Sequence, residues 1–325
     1  MKFRLGLTPQ TPGGEYDAIV VGGGPAGLSA ALYLARFGVR TAIITEKVGG
    51  AITEAGVIDD YLGIPNIMGP ELARRFEEHV RKYSVPIILA RVDDIRREGS
   101  TFKVSAGGAT YVCKAVIIAV GSRRRELGVP GEREFKGRGV SYCAPCDAPL
   151  FKGRKVAVVG GGNAALQAAL LLAIYSPTVY LIHRRGEFRA FKAYVDLIKR
   201  NERIVPILNA VVTEIGGERS VEWVKVRDVR TGEERVLSVS GVVIEVGSEP
   251  PKEFFTKIGL KTDEKGYVVV GPGQETSVEG IYAAGDCTAG PHKKKFDQVI
   301  TAAAEGAVAA LSAYEYLLRK GATAN

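Results

Sequence analysis

The chain is short of cysteine, of amides and of long tracts of either charge. Its four cysteines, Cys113, Cys143, Cys146 and Cys287, are too sparse in 325 residues for the disulfide framework of a small secreted domain. A reducing, cytoplasmic setting is the simpler expectation. Nine amide side chains and two methionines are all it has, a shortage of heat-labile types that accompanies heat-adapted proteins. Lys and Arg outnumber Asp and Glu by 44 to 36, a formal net charge of +8. The basic clusters, Arg123-Arg124-Arg125, His183-Arg184-Arg185 and His292-Lys293-Lys294-Lys295, are short and far apart. Nucleic acid needs a continuous basic stripe, so no such partner is expected. The apolar stretch 16–35 is broken by Gly22-Gly23-Gly24-Pro25, and Lys2 and Arg4 precede no leader-type apolar run before Glu15. Neither a membrane span nor a signal peptide is expected.

An ordinary folded protein remains, 46% apolar and 25% charged, with room for about two domains. Glycine is in excess, at 40 residues against the roughly 7% of average usage. Seven of these glycines fall in an internal repeat. Its first copy reads Asp17-Ala-Ile-Val-Val-Gly22-Gly-Gly24-Pro-Ala-Gly27-Leu-Ser-Ala-Ala-Leu-Tyr-Leu-Ala35; its second reads Lys155-Val-Ala-Val-Val-Gly160-Gly-Gly162-Asn-Ala-Ala165-Leu-Gln-Ala-Ala-Leu-Leu-Leu-Ala173. Each is a β-branched run suited to a buried parallel strand, then a glycine turn, then an Ala/Leu-rich helix. Matching late strands follow at 115–122 and 241–248. The C-terminal part predicts strands over 266–270 and 280–286 and a helix over 297–319, which need an existing sheet to pack on. The expected fold is therefore α/β, with two Rossmann-like domains, the second inserted into the first. Residues 1–124 and 251–325 make the first domain, 125–250 the second, and 1–14 form a loose extension.

A glycine fingerprint between strand and helix permits a tight turn, lets backbone approach a pyrophosphate, and packs helix against strand. The helix N-terminus then faces the anion. Glu46 stands 19 residues after Gly27, where an acid accepts from ribose hydroxyls. This suits an unphosphorylated ribose, as in FAD or NAD. In the second copy His183, 18 residues after Ala165, opens His183-Arg184-Arg185, with Arg189 one turn later. Cations there match a 2′-phosphate, which favours NADPH over NADH; the alternative is a solvated basic strand end.

Cys143-Ala144-Pro145-Cys146-Asp147 lies just before the second repeat. A two-residue gap suits a redox-active disulfide, and an adjoining acid can give or take the proton that thiolate exchange requires. Zinc would need two further ligands, and His79, His183 and His292 form no second pair; inert thiols are the other alternative. Cys113 and Cys287 read as small core residues. A disulfide does not readily accept hydride from a nicotinamide, so a flavin is expected as intermediary. Because nucleotides bind beyond the carboxyl ends of strands and the Cys pair precedes the second domain's first strand, nicotinamide and disulfide are expected in different parts of that domain. Rotation of the domain would then bring each to the flavin.

From about Tyr16 to Leu318 the chain resembles the low-molecular-weight thioredoxin reductases. The marks are Cys143-Ala-Pro-Cys146-Asp147, His183-Arg-Arg-Gly-Glu-Phe-Arg-Ala190, and Ala283-Ala-Gly-Asp286 followed by Gln298. The resemblance implies a homodimer with bound FAD that uses NADPH to reduce a thioredoxin-like protein. It implies that Cys146 faces the flavin, Cys143 exchanges with the partner and Asp147 donates the proton. For FAD it implies Gly22, Gly24, Ala26, Gly27, Glu46, Gly50, Val92, Gly121, Asp286 and Gln298. For NADPH it implies Gly162, Asn163, Ala165, His183, Arg184, Arg185 and Arg189. The chain departs from the family pattern at Gln167-Ala168, where Glu-Glu is common, at Asp297, usually Arg, and at Pro145, more often Thr. A glutaredoxin-like or peroxiredoxin partner, oxygen, or a slow flavin redox sensor are the alternatives.

Overall fold

The structure is a computed structural model that describes residues 13–55, 57–290 and 296–321, with the side chains of Val57 and Cys146 outside the description. In chain order the elements that position the sites are β1 (Ala18–Gly23), α1 (Pro25–Arg36), β2 (Thr41–Val48), β3 (Ile87–Leu89), β4 (Ala115–Ile118), β5 (Val140–Ser141), α2 (Ala144–Asp147), β6 (Val156–Val159), α3 (Asn163–Tyr175), β7 (Val179–His183), β8 (Ile204–Leu208), β9 (Val242–Ile244), β10 (Ile281–Ala283) and α4 (Val299–Arg319). The chain divides into two compact units, passing from the first to the second between Arg123 and Arg124 and returning between Ser248 and Glu249.

In the first unit five strands run parallel in the order β10-β4-β1-β2-β3. The C-terminal segment thus completes a sheet begun by the N-terminal repeat, with Ile281 opposite Val116. The β-branched run of β1 is buried on both faces, as a parallel strand covered from two sides must be. Val20 joins Ile43, Ile117 and the helices α1 and α4 in one core. Ile19 and Val21 join Ile44, Phe102, Val104 and Tyr111 in another, so side chains alternate with the period of two that a strand imposes. Phe102, Val104 and Tyr111 come from an antiparallel sheet, Val92–Glu98, Thr101–Ala106 and Ala109–Cys113, that covers the second face. Of the extension expected over 1–14, residues 1–12 lie outside the described ones. Gly14 belongs to an edge strand, Gly14–Glu15, paired with Tyr111 and Val112, which corrects the reading of a loose tail at that point.

The second unit repeats the plan. Its parallel order is β5-β9-β6-β7-β8. Val156, Val158 and Leu181 pack on Leu166 and Leu172 of α3, while Ala157, Val159 and Ile182 pack on Val224 and Val226 of a second antiparallel sheet. Cys113 and Cys287 are free thiols, 1% and 0% exposed, within the first unit's second core. Burial pushes the Cys113 thiol up to about 12, as an apolar site does to any group that must ionise. Among the described residues no helix is long and apolar enough to cross a membrane.

Candidate active site

The first fingerprint is a cradle at the carboxyl edge of its sheet. Gly22 has φ 111°, and a Cβ there would lie 2.2 Å from the Ala119 carbonyl oxygen of β4's continuation. A Cβ on Gly27 would lie 1.9 Å from the Gly22 carbonyl oxygen, so the helix seats directly on the turn. Gly24, by contrast, faces space with nothing within 4 Å. It is the N-cap of α1 and provides no side chain for the first-turn N–H groups, which have no intrahelical acceptors. An anion is what such an open helix end accommodates.

The other expected flavin residues gather at this edge. Gly49 donates its N–H to the Gly23 carbonyl at 2.7 Å, and a Cβ on Gly50 would stand 3.1 Å from the Cα of Gly24. Glu46 is exposed toward the end of β2. Gly121 follows β4 with φ 66° and open space before it. Val92 begins the antiparallel sheet two residues after Ala90, whose N–H is given to Thr45 of β2 at 3.0 Å. Asp286 follows β10, half-buried. Ala26 lies under α4, since a Cβ on Gly306 would meet the Ala26 carbonyl oxygen at 2.0 Å. Gln298 is the N-cap of α4, its N–H given to the Thr301 hydroxyl at 3.2 Å. Two contributors are invisible in the sequence pattern: Gly306, and Glu305, whose carboxylate accepts the Gly285 N–H at 2.7 Å beside Asp286. Glycine at a helix interior is the one available signal for Gly306; nothing local marks Glu305.

The second fingerprint forms an equivalent edge. Gly162 is the N-cap of α3, again without a side-chain cap and with open space in front. Arg189 donates its N–H to Gly161 at 2.7 Å, and the Asn163 side chain accepts the Phe191 N–H at 2.8 Å, so the loop after β7 is tied to the turn. Ala165, fully buried, packs toward Gly160. Arg184 and Arg189 are exposed and Arg185 half-buried. Partial desolvation, then the charges of Arg189 and Arg184, pull the Arg185 guanidinium below its ordinary range. Among the described residues no ion pair neutralises these three. The expectation of a fourth cation at His183 is corrected. Its ring fills the space of the absent Gly161 side chain, where a Cβ would meet it at 2.2 Å. It is 8% exposed, and burial, then the Arg185 charge, lowers its basicity. Its Nε2 is buried without a hydrogen-bond partner among the described residues. At the departure from the family pattern, Gln167 donates its side-chain N–H to the Tyr194 hydroxyl at 2.5 Å.

The cysteine turn begins at the carboxyl end of β5. Cys143 is disulfide-bonded and half-buried. Its N–H is given to the Ser141 hydroxyl at 3.1 Å, and that hydroxyl donates to Asp147 at 2.6 Å. Ser141 thus joins the entrance of the turn to its acid. Tyr142 donates its hydroxyl to Glu132 at 2.7 Å, and the same carboxylate, 1% exposed, accepts the N–H groups of Leu127 and Gly128. Burial and Glu132 together raise the Tyr142 phenol above its ordinary range. The expected separation of disulfide and nucleotide is revised in form. Because β5 runs parallel to β9 and β6, Cys143 stands at the same carboxyl edge as Gly160, not at the opposite end. The two are displaced sideways by two strand spacings, roughly 10 Å.

Residues 16–306 match the family described as pyridine nucleotide-disulphide oxidoreductase. The chain is 39% identical over 307 residues to a thioredoxin reductase of Treponema pallidum (strain Nichols), covering 93% of this chain and 97% of that protein. It is 38% identical over 314 residues to an alkyl hydroperoxide reductase component of Pseudomonas putida, covering 95% of this chain but 59% of that protein, so it spans little over half of that relative's length. It is similar in three dimensions to the thioredoxin reductase of Streptococcus pyogenes MGAS5005, with a TM-score of 0.80, 37% identity, and coverage of 94% of this chain and 99% of that one. The chain belongs to the pyridine nucleotide-disulphide oxidoreductases, in their low-molecular-weight, thioredoxin-reductase-like class.

Proposed function

We propose that the chain is an FAD-dependent enzyme that passes electrons from NADPH through the disulfide of Cys143 and Cys146 to the disulfide of a thioredoxin-like protein. The observation that supports this reading is the disulfide-bonded Cys143 on the same sheet edge as a second open, uncapped glycine turn, read as the nicotinamide cradle. A flavin-only oxidase needs neither, and a slow sensor needs no second cradle.

The residues of the first unit fit FAD. Gly24 leaves open the space a side chain would fill at an uncapped helix end, and Gly49-Gly50 line it. Gly22, Gly24, Ala26, Gly27 and Gly50 would hold the pyrophosphate, Glu46 the ribose, Asp286 the ribityl region, and Val92, Gly121 and Gln298 the remaining edge. Bound there, FAD supplies the two-electron relay between a hydride donor and a disulfide. Asp147, held by Ser141, is the acid that returns a proton to the departing thiolate. Exposed apolar side chains on α1 and α4, among them Tyr33, Leu311 and Leu318, support a homodimer, and a cytoplasmic setting completes the reading.

The nicotinamide preference rests on the unneutralised Arg184, Arg185 and Arg189. A guanidinium hydrogen bond to a phosphate is worth about 1.5–3 kcal/mol. Replacing Arg184 with alanine is accordingly expected to raise the KM for NADPH roughly 10- to 100-fold, with that for NADH nearly unchanged. Steady-state kinetics with both nucleotides at low and high salt check it; equal losses with both would count against a 2′-phosphate site.

The function itself is tested by anaerobic turnover of the purified yellow protein with NADPH or NADH and a set of thioredoxin-like, glutaredoxin-like and peroxiredoxin acceptors. NADPH-driven reduction of a thioredoxin-like acceptor is expected to be fastest. The likeness to a component of an alkyl hydroperoxide reductase favours one second reading, delivery of the same electrons to a peroxide-reducing system. A colourless protein that binds zinc would end both readings.

A further inference from the structure

The Ser141 hydroxyl has more hydrogen-bond partners than one orientation can serve. Ser141 closes β5, 5% exposed, two residues before Cys143. Its Oγ accepts the Cys143 N–H at 3.1 Å. Its single hydrogen faces two acceptors, Oδ2 of Asp147 at 2.6 Å and the Cys143 carbonyl at 3.3 Å. That carbonyl also receives the Asp147 N–H at 3.2 Å, so the same three residues are joined by backbone and side chain alike. A hydroxyl offers one donor and two acceptor lone pairs, and it turns about its C–O bond to suit its partners. With Asp147 ionised, the shorter contact takes the hydrogen. With a proton on Oδ2 the sense of that bond reverses: the acid donates to Oγ, and the hydroxyl hydrogen swings to the Cys143 carbonyl. Every donor of the group is matched in both states, as a buried hydroxyl requires.

We propose that Ser141 is a positioning residue of the disulfide exchange, a hydroxyl rotor that keeps Asp147 aimed at the cysteine turn whether or not the acid carries a proton. The inference deepens the reading of Asp147 as the proton donor and rests on it. In a displacement the Cys143 thiol gives up its proton, its sulfur bonds to one sulfur of the incoming disulfide, and the S–S bond of that disulfide breaks. The departing sulfur takes the electron pair of the broken bond and needs one proton. Asp147 takes the proton from the thiol and returns it to the departing sulfur, so its charge changes twice while the bonds exchange. An acid whose neighbours suited only one charge would have to break a hydrogen bond at each change. The Ser141 hydroxyl reverses its bond instead. Leaving groups differ in how much they need that proton. An alkyl thiolate is basic and leaves slowly without one, whereas an aromatic thiolate of low pKa leaves unaided.

In full-length, flavin-loaded protein carrying Cys146→Ser, Cys143 is the only thiol of the turn, and Cys113 and Cys287 are buried. Conversion of Cys143 to a mixed disulfide is timed by intact mass near neutral pH with two probes, the alkyl disulfide of mercaptoethanol and the aromatic dithiodipyridine. Ser141→Ala should slow the alkyl reaction about tenfold, the loss expected of a misaimed acid, and change the aromatic one by less than about twofold. In an Asp147→Asn background the same replacement should cost the alkyl reaction less than about twofold, because residues that act through one another are not additive. Ser141→Thr should keep the parent's ratio of the two rates, and Ser141→Val, of the same shape without the hydroxyl, should lose it. An unslowed alkyl reaction in Ser141→Ala, equal slowing with both probes, or an undiminished loss in the Asp147→Asn background overturns the proposal. Should Ser141→Ala not fold, matching ratios for Ser141→Thr and Ser141→Val overturn it equally. A slow Asp147→Asn protein beside an unaffected Ser141→Ala ends the role of Ser141 and leaves the acid in place. An Asp147→Asn protein as fast as its parent with the alkyl probe removes Asp147 as the acid, and the rotor with it. Neither nicotinamide nor a protein acceptor takes part, so inactivity toward thioredoxin-like proteins leaves the outcome untouched.

Discussion

Replacing Gly27 with alanine is expected to give a protein that purifies without its yellow colour and melts well below the parent. The added methyl would begin 1.9 Å from the Gly22 carbonyl oxygen and 3.4 Å from the Ala119 side chain. Neither obstacle is the free end of a flexible chain. Gly22 is itself pinned, because its own φ of 111° and its approach to Ala119 leave no room to retreat. Overpacking of this kind costs about 3 kcal/mol or more when backbone has to move. At 2–4 °C per kcal/mol for a domain of this size, the melting temperature should fall by roughly 6–12 °C. Displacing α1 also moves the N–H groups at its start, so FAD is lost together with stability.

Gly24→Ala is the control that gives the first result its meaning. Its φ of −76° suits any residue, and its side chain would enter open space. The flavin-free protein should melt within about 2 °C of the parent, while FAD is held at least about tenfold more weakly because the methyl occupies the approach to the pyrophosphate. Melting followed by fluorescence, with flavin retention read from absorbance, separates the two glycines. Flavin retained by Gly24→Ala as tightly as by the parent would show that this edge is not where a dinucleotide lies.

The contrast also shows how much the sequence alone conveys. A run such as Ala18-Ile19-Val20-Val21 before three glycines and an Ala/Leu helix reports strand, turn and helix because all its information is local. The repeat of that run at 156–159 foretells the second sheet in the same way. Contacts between distant residues have no such period. Glu305 meets Gly285, and Glu245 meets Arg124 at 3.4 Å, and no spacing rule announces either. His183 stands where a cation is expected, yet side-chain direction decides its chemistry. The missing side chain of Gly161 makes a slot, the ring fills it, and burial disfavours its charged form. The edge strand β5 has a similar lesson. Two residues, Val140 and Ser141, are too short to leave a pattern, but their parallel pairing with Val242 and Val243 turns the cysteine pair toward the nucleotide edge.

Cys143→Ser is expected to abolish reduction of a protein disulfide while hydride still enters the enzyme. In the proposed exchange the Cys143 thiolate attacks one sulfur of the acceptor's disulfide. That bond breaks, and the departing acceptor sulfur takes the electron pair and then a proton, with Asp147 the nearest acid joined to the turn. The Cys146 thiolate next displaces the acceptor's second sulfur, which also leaves as a thiol, and the Cys143–Cys146 disulfide is restored. Two electrons and two protons have passed to the acceptor. Serine retains the hydrogen bond to Ser141 through its backbone N–H, so the turn keeps its shape, but its hydroxyl does not ionise near neutral pH. Removing a nucleophile that works as part of a unit lowers turnover by at least about 10³. NADPH should still bleach the flavin absorbance, because that step uses the Arg184 edge and not the thiol. Cys146→Ser should lose turnover too, but for a different reason: Cys143 can still attack, and the mixed disulfide with the acceptor then has nothing to resolve it. Non-reducing electrophoresis with a thioredoxin-like acceptor should therefore show a covalent complex for Cys146→Ser and none for Cys143→Ser. A complex formed by the Cys143 variant instead would exchange the two roles, and full acceptor reduction by either variant would remove the disulfide from the electron route.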